Sequence, residues 1–336
     1  MVTIGGGTGA PIVIQALNQI GIKNIQAIAV SMDSGGKTGY LRSDERDRII
    51  AISDLLRNLI SLINFKDNHR QSVAAFSELI GYTDGRNRNL GYTIYYALLE
   101  KYNNNFLAVQ KHLENMLGIQ FNGVAIPVTL EPTHINFSTQ NGQTFSGEHE
   151  LDRLSMSKNI ITEFCLDSQV QATAESLKAI SVATHIIYCP GSIYGSILAN
   201  FLPDGVTSVL KKSHARKILI TNLVSDRNQT HKFTLLDYLH IFQKYTRLKK
   251  PFDYVLSPDL NFSQFNSKYP RVAKNYEQEH SYFLGFSNHL PLEFAKEKIQ
   301  VFFEPIFSIT PALLRIRHDP VKLGKAINKI LQSIPK

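Results

Sequence analysis

Residues 1–17 read MVTIGGGTGAPIVIQAL. A short apolar run, Val2-Thr3-Ile4, leads into Gly5-Gly6-Gly7-Thr8-Gly9-Ala10, and an apolar helical pattern starts at Pro11. The hexamer satisfies the dinucleotide pattern G-x-G-x-x-[G/A] in its required setting, with a strand before it and a helix after it. Glycines close such a turn and leave no Cβ to block a phosphate. The helix behind them points free N–H groups and its positive dipole end at the anion. Pro11 suits a first helical turn, where a missing N–H costs nothing. Gly5, Gly6, Gly7, Thr8 and Gly9 are therefore candidate phosphate-binding residues. Any sharp strand-to-helix turn also tolerates glycine, so the hexamer alone leaves tight packing open as a second reading.

The unit of strand, turn and amphipathic helix recurs outward from this loop. Gln26 to Val30, Thr184 to Cys189, Arg216 to Thr221 and Phe252 to Leu256 are short apolar runs followed by polar or Gly/Pro turns, and residues 49–63 have helical spacing. This alternation predicts an α/β fold, a Rossmann-like three-layer sandwich with a mostly parallel sheet. The middle differs. Residues 71–117 read as wholly helical, and Val124 to Gly147 alternates around Asn141-Gly142, a hairpin turn. The expected organisation is a nucleotide-binding core of residues 1–70 and 160–336, with residues 71–159 an inserted helical and β-hairpin region.

A second loop, Ser31 to Arg42, holds Asp33, Gly35, Gly36, Lys37 and Arg42. Gly36-Lys37-Thr38 resembles the end of a P-loop, but Ser31 stands where that motif needs its first glycine, and Gly39 interrupts the helix that should follow. What remains is a glycine-rich loop with one carboxylate and two cations, at the place where doubly wound sheets put ligand contacts. Asp54, Arg57 and Asn58 can share one helical face. Asp33 and Asp54 together are candidate ligands for Mg²⁺ beside phosphates, although a loop cap and a solvated ion pair explain them equally. A third turn, Pro190-Gly191-Ser192, ends another apolar run. Ser192 there can cap a helix or donate to a phosphate, and Asn222 ends the next strand, placed to read a sugar or base edge.

With 336 residues and a net charge of +8, the chain has ample length for a core and attracts anions. Zinc-finger spacings, RNP-like aromatics and basic heptads are missing from the sequence, so nucleic acid is not the expected partner. No apolar stretch is long enough for a bilayer, and no charged segment with an apolar run opens the sequence, so a cytoplasmic protein without membrane attachment is expected. Cys165 and Cys189 lack neighbouring ligands at metal spacing and read as reduced thiols. Phosphorylated small molecules are the expected ligands. Apolar helices in residues 71–117 offer a homodimer contact. An NAD-type dehydrogenase rests on Gly5 to Ala10 alone and lacks the acidic residue after the second strand, so no redox cofactor is expected.

Taken in order, Gly5 to Gly9, Met32 to Arg42, Ser53 to Asn58 and Cys189 to Ile197 resemble the 2-phospho-L-lactate transferase (CofD-like) family, nearer its gluconeogenesis-factor (YvcK-like) branch. Ile316-Arg317-His318-Asp319-Pro320 resembles that branch's C-terminal pattern, so the likeness runs to about residue 330. The resemblance implies a Rossmann-like core with an insertion. It also implies that Gly5 to Gly9, Gly191, Ser192, Tyr194 and Ser196 face the ligand, with Asn222 and Arg317 on the nucleotide side. For the gluconeogenesis-factor branch it implies binding of a UDP-sugar and a regulatory role in carbon metabolism, cell shape or the cell envelope. For the transferase branch it implies Mg²⁺-dependent transfer of a phospholactyl group from a guanosine diphosphate carrier to a deazaflavin, in coenzyme F420 biosynthesis. Three positions depart from the family pattern. Met32 replaces the first of two aspartates, an extra leucine separates Asp54 from Arg57, and Asn89-Leu90-Gly91-Tyr92 replaces Ser-Leu-Gly-Asn. Losing metal ligands weakens phosphoryl transfer more than diphosphate binding.

Overall fold

A computed structural model describes residues 1–32, 50–63, 70–85, 89–151, 160–226, 229–286, 290–310 and 312–333. Its centre is a seven-stranded sheet in the order β10-β9-β8-β7-β1-β2-β3. The strands are β1 (Val2–Ile4), β2 (Ile25–Ala29), β3 (Gly123–Pro127), β7 (His185–Tyr188), β8 (Arg216–Ile220), β9 (Tyr254–Pro258) and β10 (Gln300–Glu304). Every pairing in the sheet is parallel. The inner strands are runs of buried residues without alternation, because helices cover both faces and neither face meets water. The expected Rossmann-like α/β architecture is the observed one.

The chain leaves β1 for β2 and β3 on one side, then crosses back to β7, β8, β9 and β10 on the other. The loops after β1 and β7 therefore diverge at the carboxyl edge, which makes this pair the topological switch point. Helix α1 (Gly9–Gln19) packs on the last helix, Pro320–Ser333, closely enough that a Cβ on Gly324 would stand 2.8 Å from the carbonyl oxygen of Ala16.

Two expectations change in the middle of the chain. Residues 71–117 form three helices, α3 (Arg70–Gly81), α4 (Leu90–Lys101) and α5 (Phe106–Leu117), after α2 (Ser53–Ser61). Asn89 and Asn105 cap α4 and α5, each accepting a backbone N–H three residues on, and these caps are where the apparent single run divides. Gly123–Pro127, inside the expected insertion, is β3, an edge strand of the main sheet. The hairpin falls where Asn141-Gly142 puts it, between β4 (Ile135–Thr139) and β5 (Thr144–Ser146). β6 (Ile161–Leu166) joins that small antiparallel sheet through β4, so α/β order resumes at α6 (Ala174–Val182), later than residue 160. The remaining elements are α7 (Val206–Lys212), α8 (Leu235–Thr246), α9 (Phe262–Lys268), α10 (Pro270–Gln278), α11 (Leu292–Lys296), the hairpin β11 (Phe307–Thr310) with β12 (Arg315–His318), and α12 (Pro320–Ser333).

Among the described residues no helix is long and apolar enough to cross a membrane.

Candidate functional site

The glycine loop after β1 lies directly against the loop after β7. Gly5 donates to the Ile28 carbonyl, and Cys189 donates to the Ile4 carbonyl, so both strand ends are tied. A Cβ on Gly9 would stand 1.8 Å from the Pro190 carbonyl oxygen, and one on Gly6 would stand 1.7 Å from Asp54 Oδ2. These two glycines are thus required by protein atoms. Near Gly7 the nearest atom to such a Cβ is Ser196 Oγ at 3.6 Å, leaving that side open.

The amide of Ala10 donates to the Gly6 carbonyl. Among the described residues, the amides of Gly6, Gly7, Thr8 and Gly9 form no hydrogen bond. Thr8 is exposed and its side chain makes no cap bond to α1, whose first turn carries no acidic residue. Four free donors and a positive helix end therefore converge at the switch point, the arrangement that binds a phosphate.

The supporting residues hold this loop in place. Asn58 is fully buried on α2, and its Nδ2 donates to the Gly5 carbonyl at 3.3 Å. Asp54 is buried beside Gly6 and receives Arg57 Nη1 at 3.1 Å, while the Arg57 side chain is 47% exposed. The expected shared face of Asp54, Arg57 and Asn58 therefore packs under the glycine loop, with only the Arg57 head reaching solvent.

Across the crevice, Gly191 donates to Asn222 Oδ1 at 3.0 Å, and Asn222 Nδ2 donates to the Gly191 carbonyl at 2.9 Å. Asn222 is thus a clamp between the loops after β7 and β8. Replacing it with alanine is expected to lower the unfolding free energy by about 2 kcal/mol, since two hydrogen bonds of roughly 1 kcal/mol each are lost. Urea denaturation reads this, and unchanged stability would contradict the clamp. Ser192 accepts from the Gly195 amide at 3.1 Å, capping a π-helical turn at Ile193–Ile197, and its hydroxyl donates to Gln229 Oε1 at 2.8 Å. Single π turns are rare and concentrate at functional sites. Gln229 also receives the Tyr194 amide at 3.1 Å. Sequence reasoning passed over Gln229, because nothing near it in sequence marks a loop brace 37 residues from Ser192.

Of the residues expected to line the ligand, Tyr194 is placed in an aromatic cluster with Phe164 and Tyr245, its ring 4% exposed and its phenol pushed up by burial. Ser196 is buried beside Gly7. Cys189 is buried at the loop floor, and its thiol is pushed up by the same cause, so it is inert. Thr8, Gly9, Gly191, Asn222 and Arg317 meet in one cavity of about 150 Å³. Arg317 comes from β12, and its neighbour His318 lines the same cavity. Asp33, Gly35, Gly36, Lys37 and Arg42 lie outside the described residues.

For Mg²⁺, the described donor set does not fit. It offers one carboxylate, Asp54, already facing the Arg57 guanidinium; Met32, where the family has an aspartate, is buried, and Asp33 lies outside the described residues. Among the described residues no three acidic, histidine or cysteine groups cluster at metal spacing.

Residues 1–298 match the family described as 2-phospho-L-lactate transferase CofD. A putative gluconeogenesis factor from Thermotoga maritima is 30% identical over 98% of both chains. Another from Aquifex aeolicus is 26% identical, covering 99% of this chain and 97% of that protein. A solved UPF0052-family protein from Bacillus halodurans superposes with a TM-score of 0.81 at 21% identity, over 97% of this chain and 98% of that one, which establishes a shared fold.

Proposed function

Because the chain belongs to the 2-phospho-L-lactate transferase CofD family, we propose that it binds a nucleoside diphosphate sugar with a uridine base, acting as a regulatory protein of the gluconeogenesis-factor kind. The gluconeogenesis-factor names of its relatives support this branch of the family. The single observation that carries the binding mode is the set of free amides from Gly6 to Gly9 at the β1/β7 switch point. The diphosphate sits on those amides, with Arg317 as the exposed cation at the cavity rim. Binding of this kind needs no metal, because backbone dipoles supply the charge. In this site Asn58, Asn222 and Gln229 fix loops, and the ligand meets mainly backbone.

The test is a thermal titration with UDP-N-acetylglucosamine, GDP and NAD, each with and without Mg²⁺. A ligand at about ten times its dissociation constant stabilises the folded form by roughly 1.4 kcal/mol, or about 2 °C in a chain of this size. The expected response is to the uridine ligand, equal with and without metal. A response to GDP that requires Mg²⁺ would overturn this reading in favour of a transferase, and a response to NAD alone would overturn both.

A further inference from the structure

We infer that the outer edge of the central sheet, strand β10 (Gln300–Glu304), is the contact through which two copies of this chain pair, strand against strand around a two-fold axis. None of its residues belongs to the glycine loops, and the inference stands whether or not a nucleotide binds there.

The sheet ends on two strands, and the chain treats them differently. At β3 the edge is closed from within. Gln110, buried on α5, donates Nε2 to the Ala125 carbonyl at 2.6 Å and accepts from the Ala125 amide at 3.2 Å. Its carboxamide stands where the backbone of another strand would. At β10 the ladder to β9 uses alternate residues. The Gln300 amide donates to the Asp253 carbonyl at 3.0 Å, and the Glu304 carbonyl accepts from the Asp259 amide at 3.1 Å, so Gln300, Phe302 and Glu304 bond inward. The backbone groups of Val301 and Phe303 therefore point outward, and among the described residues no backbone group outside the ladder bonds to them. Exposed edges are normally blunted by a charge, a proline or a bulge. Residues 300–303 read Gln-Val-Phe-Phe, with neither charge nor proline, and the register to β9 runs through them without a shift.

This edge is complementary to itself. Antiparallel pairing about Phe302 sets Val301 of each copy opposite Phe303 of the other. Those are the residues with outward N–H and C=O groups, so the donors of each strand meet the acceptors of its mate. Beside the first half of β10 lies a groove of about 520 Å³, walled by Leu290, Leu292, Ala295, Val301 and Phe302. Leu290 is 40% exposed and Leu292 75%, an apolar flank left to water in a single copy. Side chains opposite one another in an antiparallel pair share a face. Phe303 of the second copy therefore falls on the face of Val301, at this groove. The charges agree as well. Exposed Lys296 and Lys298 precede the strand, and Glu304, which also pairs with Lys329 of its own chain, ends it. The two-fold lays the basic start of each strand along the acidic end of the other. One strand thus carries both halves of the contact, as a two-fold interface requires.

A strand pair with this flank is a small interface, so a dissociation constant in the micromolar range is expected. Sedimentation equilibrium over a concentration series of the whole chain measures it, and amide hydrogen exchange locates it. The amides of Val301 and Phe303 should exchange at least tenfold more slowly in the dimer than in the monomer, while those of Gly123–Pro127 are unchanged. Val301→Pro removes an outward N–H without touching the ladder to β9, and Leu292→Lys puts a charge on the exposed flank. Each should weaken the dimer at least tenfold and leave the monomer folded. If the proline variant fails to fold, the lysine variant and the exchange of the wild type decide. A wild type that stays monomeric throughout, a dimer that either folded variant leaves intact, or a dimer whose Val301 and Phe303 amides exchange as fast as in the monomer would each overturn the inference. Protection confined to residues 71–117 would place the contact on those helices instead and overturn it too.

Discussion

Gly9→Ala is expected to destabilise the protein by about 3 kcal/mol and to weaken nucleotide binding by at least tenfold. The added Cβ would stand 1.8 Å from the Pro190 carbonyl oxygen and 2.7 Å from its carbon. Those are backbone atoms, so no side-chain rotation relieves the contact, and the loops after β1 and β7 must separate. Overpacking of this kind costs roughly 1–3 kcal/mol, and a rigid neighbour puts the loss at the upper end. The same displacement carries the amides of Gly6 to Gly9 away from Gly191, which explains why affinity falls along with stability. Gly81→Ala is the control. No atom lies within 4 Å of that Cβ, and the residue is exposed at the end of α3, so it should leave binding unchanged and raise stability by no more than about 1 kcal/mol. Urea denaturation and titration with UDP-N-acetylglucosamine measure both. A Gly9→Ala protein as stable as Gly81→Ala would mean that the loops do not meet as described.

The strand, glycines and helix of residues 1–17 announced a Rossmann-like turn, because local backbone geometry and the following helix depend only on neighbouring residues. The Asn141-Gly142 hairpin was legible for the same reason. β3 was hidden because Gly123–Pro127 precedes a segment that alternates as a hairpin does, and only its long-range partner Ile25–Ala29 distinguishes a core edge strand from an inserted one. The site was partly legible. Thr8, Gly9, Gly191, Asn222 and Arg317 do share a cavity, although they come from four separate stretches of chain. Their roles were less legible than their positions, since Asn222 and Asn58 spend their amide hydrogens on loop carbonyls and Gly6 and Gly9 are glycines for packing. Side-chain identity shows what a residue can bond, while only the fold shows which partner reaches it first.

His318 gives the second large effect, a loss of stability in acid. The side chain is 8% exposed on β12, its Nε2 lacks a hydrogen-bond partner among the described residues, and burial holds its pKa down to about 4 despite a bond to the Thr221 backbone. Desolvation penalises the charged ring, so the folded state keeps His318 neutral while the unfolded chain protonates it near 6.5. Above that pH both states are neutral and the stabilisation is complete. As pH falls toward 4 the unfolded chain takes up a proton that the folded chain refuses, and stability declines. Between pH 7 and pH 4.5 the loss from this one group is about 2.5 kcal/mol. His185, half buried on β7 and also held below its ordinary value by burial, acts with the same sign, so the comparison must isolate His318. Wild type and His318→Gln, denatured in urea at both pH values, do so. The glutamine variant should be less sensitive to the pH change by about 2.5 kcal/mol. Parallel losses in the two proteins would show that water or a rearranged partner reaches the ring, and that the wall beside Arg317 is more open than its packing indicates.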